Sequence, residues 1–250
     1  MPIIFSLTGS QTKLIALRQS LYAACVALFI TSAPASLAIT ETSGGSWTWR
    51  FNAAINDKKV GYHEYRVTKV ASGYRAESEA SFRYKVFGVT VFKYQHQALE
   101  HYDEDFCLTG IATETQAAGR DWSIAGALTP QGFAVTEYPG EDLPKQTEQQ
   151  CVAAFAYWAP NLRERSELLN GQTGDAVNVN FSITASHIAT RNPQFVEMRG
   201  EQIAIVLEYG EDGTWRGLRS DLREGRTLQY TLASFSDAGP ATGREPTPGN

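Results

Sequence analysis

Apolar and polar residues alternate one for one along most of the chain beyond residue 46. Trp47, Trp49, Phe51, Ala53 and Ile55 fall on one side of the alternation, and Thr48, Arg50, Asn52 and Ala54 on the other. A period of two marks a strand with one buried and one wet face. Asn56-Asp57-Lys58-Lys59 supplies a turn and 60–70 resumes as a strand, so the pair predicts a hairpin. Beyond Ala71-Ser72-Gly73, the residues Tyr74, Ala76, Ser78, Ala80, Phe82, Tyr84 and Val86 alternate with Arg75, Glu77, Glu79, Ser81, Arg83 and Lys85. At about 3.3 Å per residue that strand would exceed roughly 40 Å. Such a length suits a strongly twisted, curled sheet better than a sandwich.

Gly88 marks a bend or bulge, and 89–102 runs back. Further strands are predicted over 108–116, 122–128, 133–138, 176–183, 202–209, 214–222 and 226–232. Ala118-Gly119, Thr129-Pro130-Gln131-Gly132, Gly210-Glu211-Asp212-Gly213 and Glu224-Gly225 supply turn chemistry between them. Strands at this spacing predict an all-β, antiparallel meander rather than βαβ units. The expected fold is a strongly curved sheet or incomplete barrel, of half-barrel or clam shape.

One region departs from the alternation. Asn161 is a good N-cap residue with Glu164 three positions on, Leu162, Leu168 and Leu169 share a helical face, and Asn170-Gly171 is a fitting stop. A short helix over 162–169 is therefore expected, inside an insert spanning about 152–170 that covers the concave face. Residues 39–233 read as one domain, and the Gly-, Pro- and Thr-rich stretch 234–250 as a disordered tail.

The first 38 residues read as an address. Lys13 and Arg18 precede an apolar run over 21–30, followed by Ala33-Pro34-Ala35-Ser36-Leu37-Ala38. Base, apolar run and small residues in that order predict a secretory signal peptide cleaved before Ile39. The run is half of what a bilayer crossing needs, so the mature chain is expected to be exported, periplasmic or secreted, and not membrane-spanning. Cys25 interrupts the apolar run rather than closing it, which speaks against a lipid-acceptor role.

Cleavage removes two of 22 bases and none of 27 acids, leaving 20 against 27, or −7. That balance argues against nucleic acid as a partner and against electrostatic docking on anionic lipid. Two cysteines remain, Cys107 and Cys151. In an oxidising compartment they predict one disulfide. The acids Asp103-Glu104-Asp105 before Cys107 disfavour a reactive thiolate there.

The chain resembles a family of exported bacterial proteins known as domain of unknown function 6134. The likeness is carried by Gly61-Tyr62-His63, Tyr94-Gln95-His96 with Glu100, Cys107-Leu108, Phe155-Ala156-Tyr157-Trp158 before Pro160, Leu168-Leu169-Asn170 with Gln172-Thr173-Gly174, and Gly225-Arg226 with Leu228 and Tyr230. It covers nearly the whole mature chain and implies no activity.

Three classes of function follow from the side chains. His63, His96 and Glu100 can share one face of the sheet, a candidate acid–base cluster. No H-x-x-x-H or H-E-x-x-H spacing occurs, so no metal is implied. Neither a G-x-S-x-G elbow nor a glycine-rich phosphate loop opening a helix is present, and no cofactor is implied. Phe82, Tyr84, Phe92, Tyr94, Tyr157 and Trp158 can pool on the concave side, with Arg226 orienting a polar end. The leading expectation is a non-enzymatic envelope protein that binds or carries an apolar or amphipathic ligand such as a lipid or acyl chain. The alternatives are an enzyme at His63, His96 and Glu100, and a structural partner in an envelope complex.

Overall fold

The computed structural model describes residues 44–139, 144–184, 194–201, 203–222 and 225–239. The signal-peptide reading of 1–38 and most of the predicted tail lie outside them. The alternating stretches become β1 (Ser46–Ile55), β2 (Lys58–Val70), β3 (Gly73–Val86), β4 (Val89–Tyr102), β5 (Leu108–Ala117), β6 (Arg120–Thr129), β7 (Gly132–Tyr138) and β8 (Lys145–Thr147). A crossing segment then carries β9 (Glu167–Leu169) and β10 (Ala176–Asn178). The chain returns to the sheet through β11 (Asn180–Thr184), β12 (Gln194–Gly200), β13 (Ile203–Tyr209), β14 (Trp215–Asp221) and β15 (Thr227–Ala238).

Thirteen of these strands form one antiparallel sheet in the order β11-β12-β13-β14-β15-β1-β2-β3-β4-β5-β6-β7-β8. The first and last long strands pair in its middle, from Ser46 opposite Ala238 to Ile55 opposite Leu228. The sheet is not closed into a barrel, but it is bent far from flat. Tyr230 on β15 and Phe82 on β3 are three strands apart, roughly 14 Å in a flat sheet. Their ring centroids lie 6.2 Å apart, and those of Trp215 on β14 and Tyr65 on β2 lie 5.1 Å apart.

Small residues permit that bend. Ala53 and Gly61 stand between Tyr230 and Phe82 in one cross-strand row, and Ala80 stands between His63 and His96 in the next. Gly61 follows an extra residue in β2, where the register shifts opposite Ala53/Ala54. A Cβ on Gly61 would sit 1.8 Å from the Ser81 carbonyl oxygen, so the two strands close here only around glycine.

The concave face is filled by the chain's own crossing segment, residues 152–174. Val152, Ala153, Ala154, Phe155, Ala156, Tyr157, Leu162, Leu168 and Leu169 are all buried. Leu108 N–H donates to Val152 O (2.7 Å), Thr113 Oγ1 to Gly171 O (2.7 Å), and Trp122 Nε1 to Gln172 O (2.7 Å). From the far side of the sheet, Tyr209 OH donates to Tyr157 O (2.9 Å).

The predicted helix over 162–169 is corrected. A lone 3-10 turn, Leu162–Glu164, is all the helix this segment has, and Asn161 makes no capping bond. Its Nδ2 donates instead to Asp105 O (2.9 Å). Arg165 is already extended, Leu169 N–H donates to Ala153 O, and Glu167–Leu169 pairs with β10. Tertiary hydrogen bonds outcompete a capping signal of about 1 kcal/mol. The predicted tail is corrected at its start too, because 234–238 continues β15 against β1. Three further departures are strands β8 and β12, which were not predicted, and the single strand expected over 176–183, which divides into β10 and β11.

Cys107 and Cys151 form the expected disulfide, with Cα atoms 4.8 Å apart, joining the start of β5 to the start of the crossing segment. The Arg165 guanidinium donates to Cys151 Sγ (2.8 Å).

Two stability measurements check this picture. Replacing both cysteines by serine should lower the unfolding free energy by about 4 kcal/mol, from the 44-residue separation. The gap between oxidised and reduced wild type in urea should match it. Gly61→Ala should cost roughly 2 kcal/mol or more in the same assay, whereas Gly119→Ala, with open space around its Cβ, should lose less.

Candidate functional site

Alternation places one polar row among the apolar ones on the inner face. It runs Phe51, His63, Ala80, His96, Thr115 and Trp122 across β1 to β6. His63 and His96 are each 1% exposed. His63 Nδ1 meets Tyr230 OH at 3.0 Å, and its ring stacks on Tyr65 with centroids 4.2 Å apart. His96 Nδ1 meets Thr115 Oγ1 at 2.8 Å. The Nε2 atoms of both rings are buried without a partner among the described residues, as is Tyr157 OH.

Burial sets the electrostatics of this row. Desolvation pushes His63 well below the usual imidazole range, with the neighbouring His96 adding to the effect, and takes His96 down to about 3. Both rings are therefore neutral across physiological pH. Desolvation also raises the phenols of Tyr65, Tyr94, Tyr157 and Tyr230 above their ordinary value. Glu100 shares the inner face further along β4 and accepts a hydrogen bond from Tyr102 OH (2.7 Å). Burial raises its carboxyl, with the Tyr102 bond opposing. The three residues of the predicted acid–base cluster thus share one face, the histidines enclosed by aromatic rings.

The predicted ligand-lining residues are spread over four places. Phe82 and Tyr94 stack with centroids 5.4 Å apart, and Gln172 Nε2 from the crossing segment donates to Tyr94 OH (2.6 Å). Tyr157 is fully buried against Trp215, centroids 5.0 Å apart. Tyr84 and Phe92 are half-buried at the β3–β4 end of the sheet. Arg226 lies in the β14–β15 connection, where its carbonyl accepts from Leu222 N–H (2.6 Å).

Trp158 goes elsewhere. Its ring packs on Tyr102 and Phe106, centroids 5.4 and 6.0 Å away, and lines a cleft of about 480 Å³ at the opposite end of the sheet. Trp47, Trp49, Val67, Tyr74, Phe106 and Phe235 form most of the apolar wall, and Pro160, Asp212, Thr214 and Asp237 complete the lining. Trp49 and Phe235 face each other across β1 and β15 with centroids 5.1 Å apart. The Trp49 indole N–H is buried with no partner among the described residues. A volume in the 300–1,000 Å³ range with aromatic walls and a few polar groups is the usual make-up of a small-molecule site.

Sequence reasoning singled out Trp158 but missed Trp47, Trp49, Tyr74, Phe106 and Phe235. Trp47 and Trp49 were legible as inward residues of the first strand. Phe235 was hidden by its place in the expected tail. A second depression, about 680 Å³, lies across β2 to β6 and is lined by Glu64, Arg66, Glu77, Glu79 and Glu114 with small residues between. Several of its carboxylates are engaged: Glu64 by Arg50 (2.7 Å), Glu77 by Arg75 (2.8 Å) and Glu79 by Tyr62 OH.

Residues 51–233 match the sequence profile of a domain of unknown function, DUF6134. The chain belongs to that family. The DUF6134 match begins within β1 and ends within β15, and takes in the strands between, the crossing segment and the row of buried histidines. No curated protein matches the chain. Among solved structures, it is similar to a beta-barrel-like protein of domain of unknown function DUF1849 from Brucella abortus. The TM-score is 0.58 at 8% identity, over 77% of this chain and 97% of that one. At that identity the likeness is one of fold.

The buried imidazoles generate a pH prediction for this DUF6134 chain. Their pKa values are lower folded than unfolded, so the unfolded chain takes up protons first. Stability is complete above the unfolded value of about 6.5 and is lost as pH falls below it. At pH 5 His96 alone should cost about 2 kcal/mol relative to neutral pH, His63 adds to the loss in the same direction, and the raised carboxyl of Glu100 returns a little of this in more acid solution. Urea midpoints across that range should show the loss, and His96→Gln should reduce the slope.

Proposed function

We propose that this chain is an exported binding protein that holds an apolar or amphipathic small molecule in the aromatic cleft between Trp49, Phe235 and Trp158. The observation that carries the reading is the cleft: about 480 Å³ walled by aromatic rings. Within the wall, Trp49 keeps a buried indole N–H unpaired among the described residues. Aromatic faces supply apolar contact area, and Asp212, Thr214 and Asp237 add polar groups to the lining. An amphipathic molecule with an apolar part and a polar head fits both.

The cleft needs no large motion to exist, because its walls belong to paired strands and to a segment fixed by the Cys107–Cys151 disulfide. That disulfide fits an oxidising compartment, which agrees with the export reading of the first 38 residues. The interior behind the cleft is packed with Phe51, Tyr157 and Trp215. Ligand is therefore placed at the end of the curled sheet rather than along its axis.

Binding of the fluorescent probe N-phenyl-1-naphthylamine, with palmitate as competitor, tests the proposal. The expected result is saturable enhancement reversed by palmitate, and about a tenfold loss of affinity in Trp158→Ala, equivalent to about 1.4 kcal/mol. Tyr84→Ala, at the other end of the sheet, should bind as wild type. Equal binding by all three proteins would overturn the assignment of the cleft.

A further inference from the structure

At the end of the sheet remote from the cleft, β3 and β4 run on beyond their neighbours. The last β2 partner of β3 is Gly61 opposite Phe82, and the last β5 partner of β4 is Ala117 opposite Tyr94. Residues 83–93 therefore pair only with each other, as a free two-stranded ribbon. Its tip is apolar and uncovered. Of seven large apolar side chains exposed among the described residues, four stand here: Phe87 at 101%, Val89 at 65%, Val91 at 58% and Val86 at 38%.

Phe87 occupies the turn at φ 47° beside Gly88 at φ 82°. Two-residue hairpin turns of this hand favour Asn-Gly or Asp-Gly, and a bulky residue at positive φ is an outlier. The chain keeps an aromatic ring in strained backbone at a point where nothing among the described residues covers it.

The charges around the ribbon are equally distinctive. Arg83, Lys85 and Lys93 flank the tip, and Lys58 and Lys59 open β2 just beyond the adjoining Asn56-Asp57 turn. Lys58 Nζ donates to Lys85 O and lies 5.1 Å from the centroid of Tyr84. None of these five bases forms an ion pair among the described residues. Arg50, Arg66, Lys69, Arg75, Lys145, Arg199 and Arg216 do, while Arg120, Arg163, Arg165 and Arg219 also stand outside the ion pairs of the described residues, so it is the grouping of five such bases that marks the ribbon. A chain of net charge −5 thus collects unneutralised positive charge behind one apolar tip.

We infer that this ribbon is a membrane finger: Phe87, Val89 and Val91 enter the acyl boundary of an anionic bilayer while Arg83, Lys85, Lys93, Lys58 and Lys59 contact lipid headgroups. Charge complementarity selects the occupant. A basic collar around an apolar point matches an anionic surface with an apolar interior, and a narrow protruding tip suits a medium that deforms around it. Half-buried Tyr84 and Phe92 sit at the base, at the level where aromatic residues favour the water–lipid interface. The overall negative charge, which argued against lipid docking, is overridden locally because surface potentials decay within about 10 Å at ordinary salt. The finger stands independently of what the cleft holds.

Co-sedimentation with vesicles of mixed phosphatidylcholine and phosphatidylglycerol, against vesicles of phosphatidylcholine alone, tests the inference. The protein should pellet with the anionic vesicles and stay in solution with the neutral ones, and added salt should release it. Lys85→Gln with Lys93→Gln should weaken partitioning about twenty-five-fold, at about fivefold per base. Phe87→Asp should weaken it more than about tenfold, with a thermal midpoint no lower than wild type, because the side chain is free of the core and Asp-Gly suits the turn. In Phe87→Trp, the emission added over wild type should shift to the blue and be quenched by brominated acyl chains. Equal sedimentation with both vesicle types, undiminished binding by Phe87→Asp, or a water-exposed emission from the added indole of bound Phe87→Trp protein would each overturn it. Binding that survives the tip substitutions and is abolished by salt alone would likewise reduce the finger to a surface charge effect and refute insertion.

Discussion

The structure depends on how tightly the sheet can bend around β3. Large rings meet over small residues: Tyr230 and Phe82 over Ala53 and Gly61, His63 and His96 over Ala80. Sheets of this many strands either curl or split into layers, and here the inward column Ala76, Ser78 and Ala80 on β3 lets the flanks close. A bulkier residue in that column would hold the flanking aromatic rows apart. The crossing segment would then lose the wall it packs against.

The same bend explains why the interior is filled from within. A half-closed sheet exposes its concave apolar face unless something covers it, and the segment from Val152 to Gly174 does so with both main-chain and side-chain partners. It is tied at its start by the disulfide and hydrogen-bonded to β5, β6 and β13. Residual polarity in that interior, two imidazoles and a phenol with open hydrogen-bonding positions among the described residues, is held neutral by burial. The two ends of the sheet are left with different chemistry. One presents the aromatic cleft, the other an apolar ribbon ringed by bases.

Much of this was legible along the chain. The alternation from Trp47 to Tyr102 gave four strands and three turns close to their observed limits, because period-two burial is a local property. The cysteine pair was legible from its parity. The crossing segment was not: Asn161 and Glu164 form a good helix start in isolation, but the Asn161 side chain bonds to Asp105 O, 56 residues away. Strand β12 escaped because only Val196 and Met198 of Gln194–Gly200 are buried, too short an inward pattern to distinguish from a loop. Parity put His96 and Glu100 on one face and left His63 able to join them, and the pairing of β2, β3 and β4 sets His63 and His96 in one cross-strand row. The contact of His63 with Tyr230 depends on a strand order that parity does not give.

By itself, then, the sequence determined the class of fold, the inward and outward faces of the long strands and the cysteine pairing. Each of these follows from side-chain periodicity or count, and needs no knowledge of which strands are neighbours. Only the tertiary structure decided that β15 returns beside β1, bringing Phe235 to Trp49 and Asp237 to Trp47 to make the cleft. It also decided that β3 and β4 outrun both neighbours and leave Phe87 uncovered. Both outcomes rest on register between segments far apart in the chain, which long-range pairing fixes and local pattern cannot.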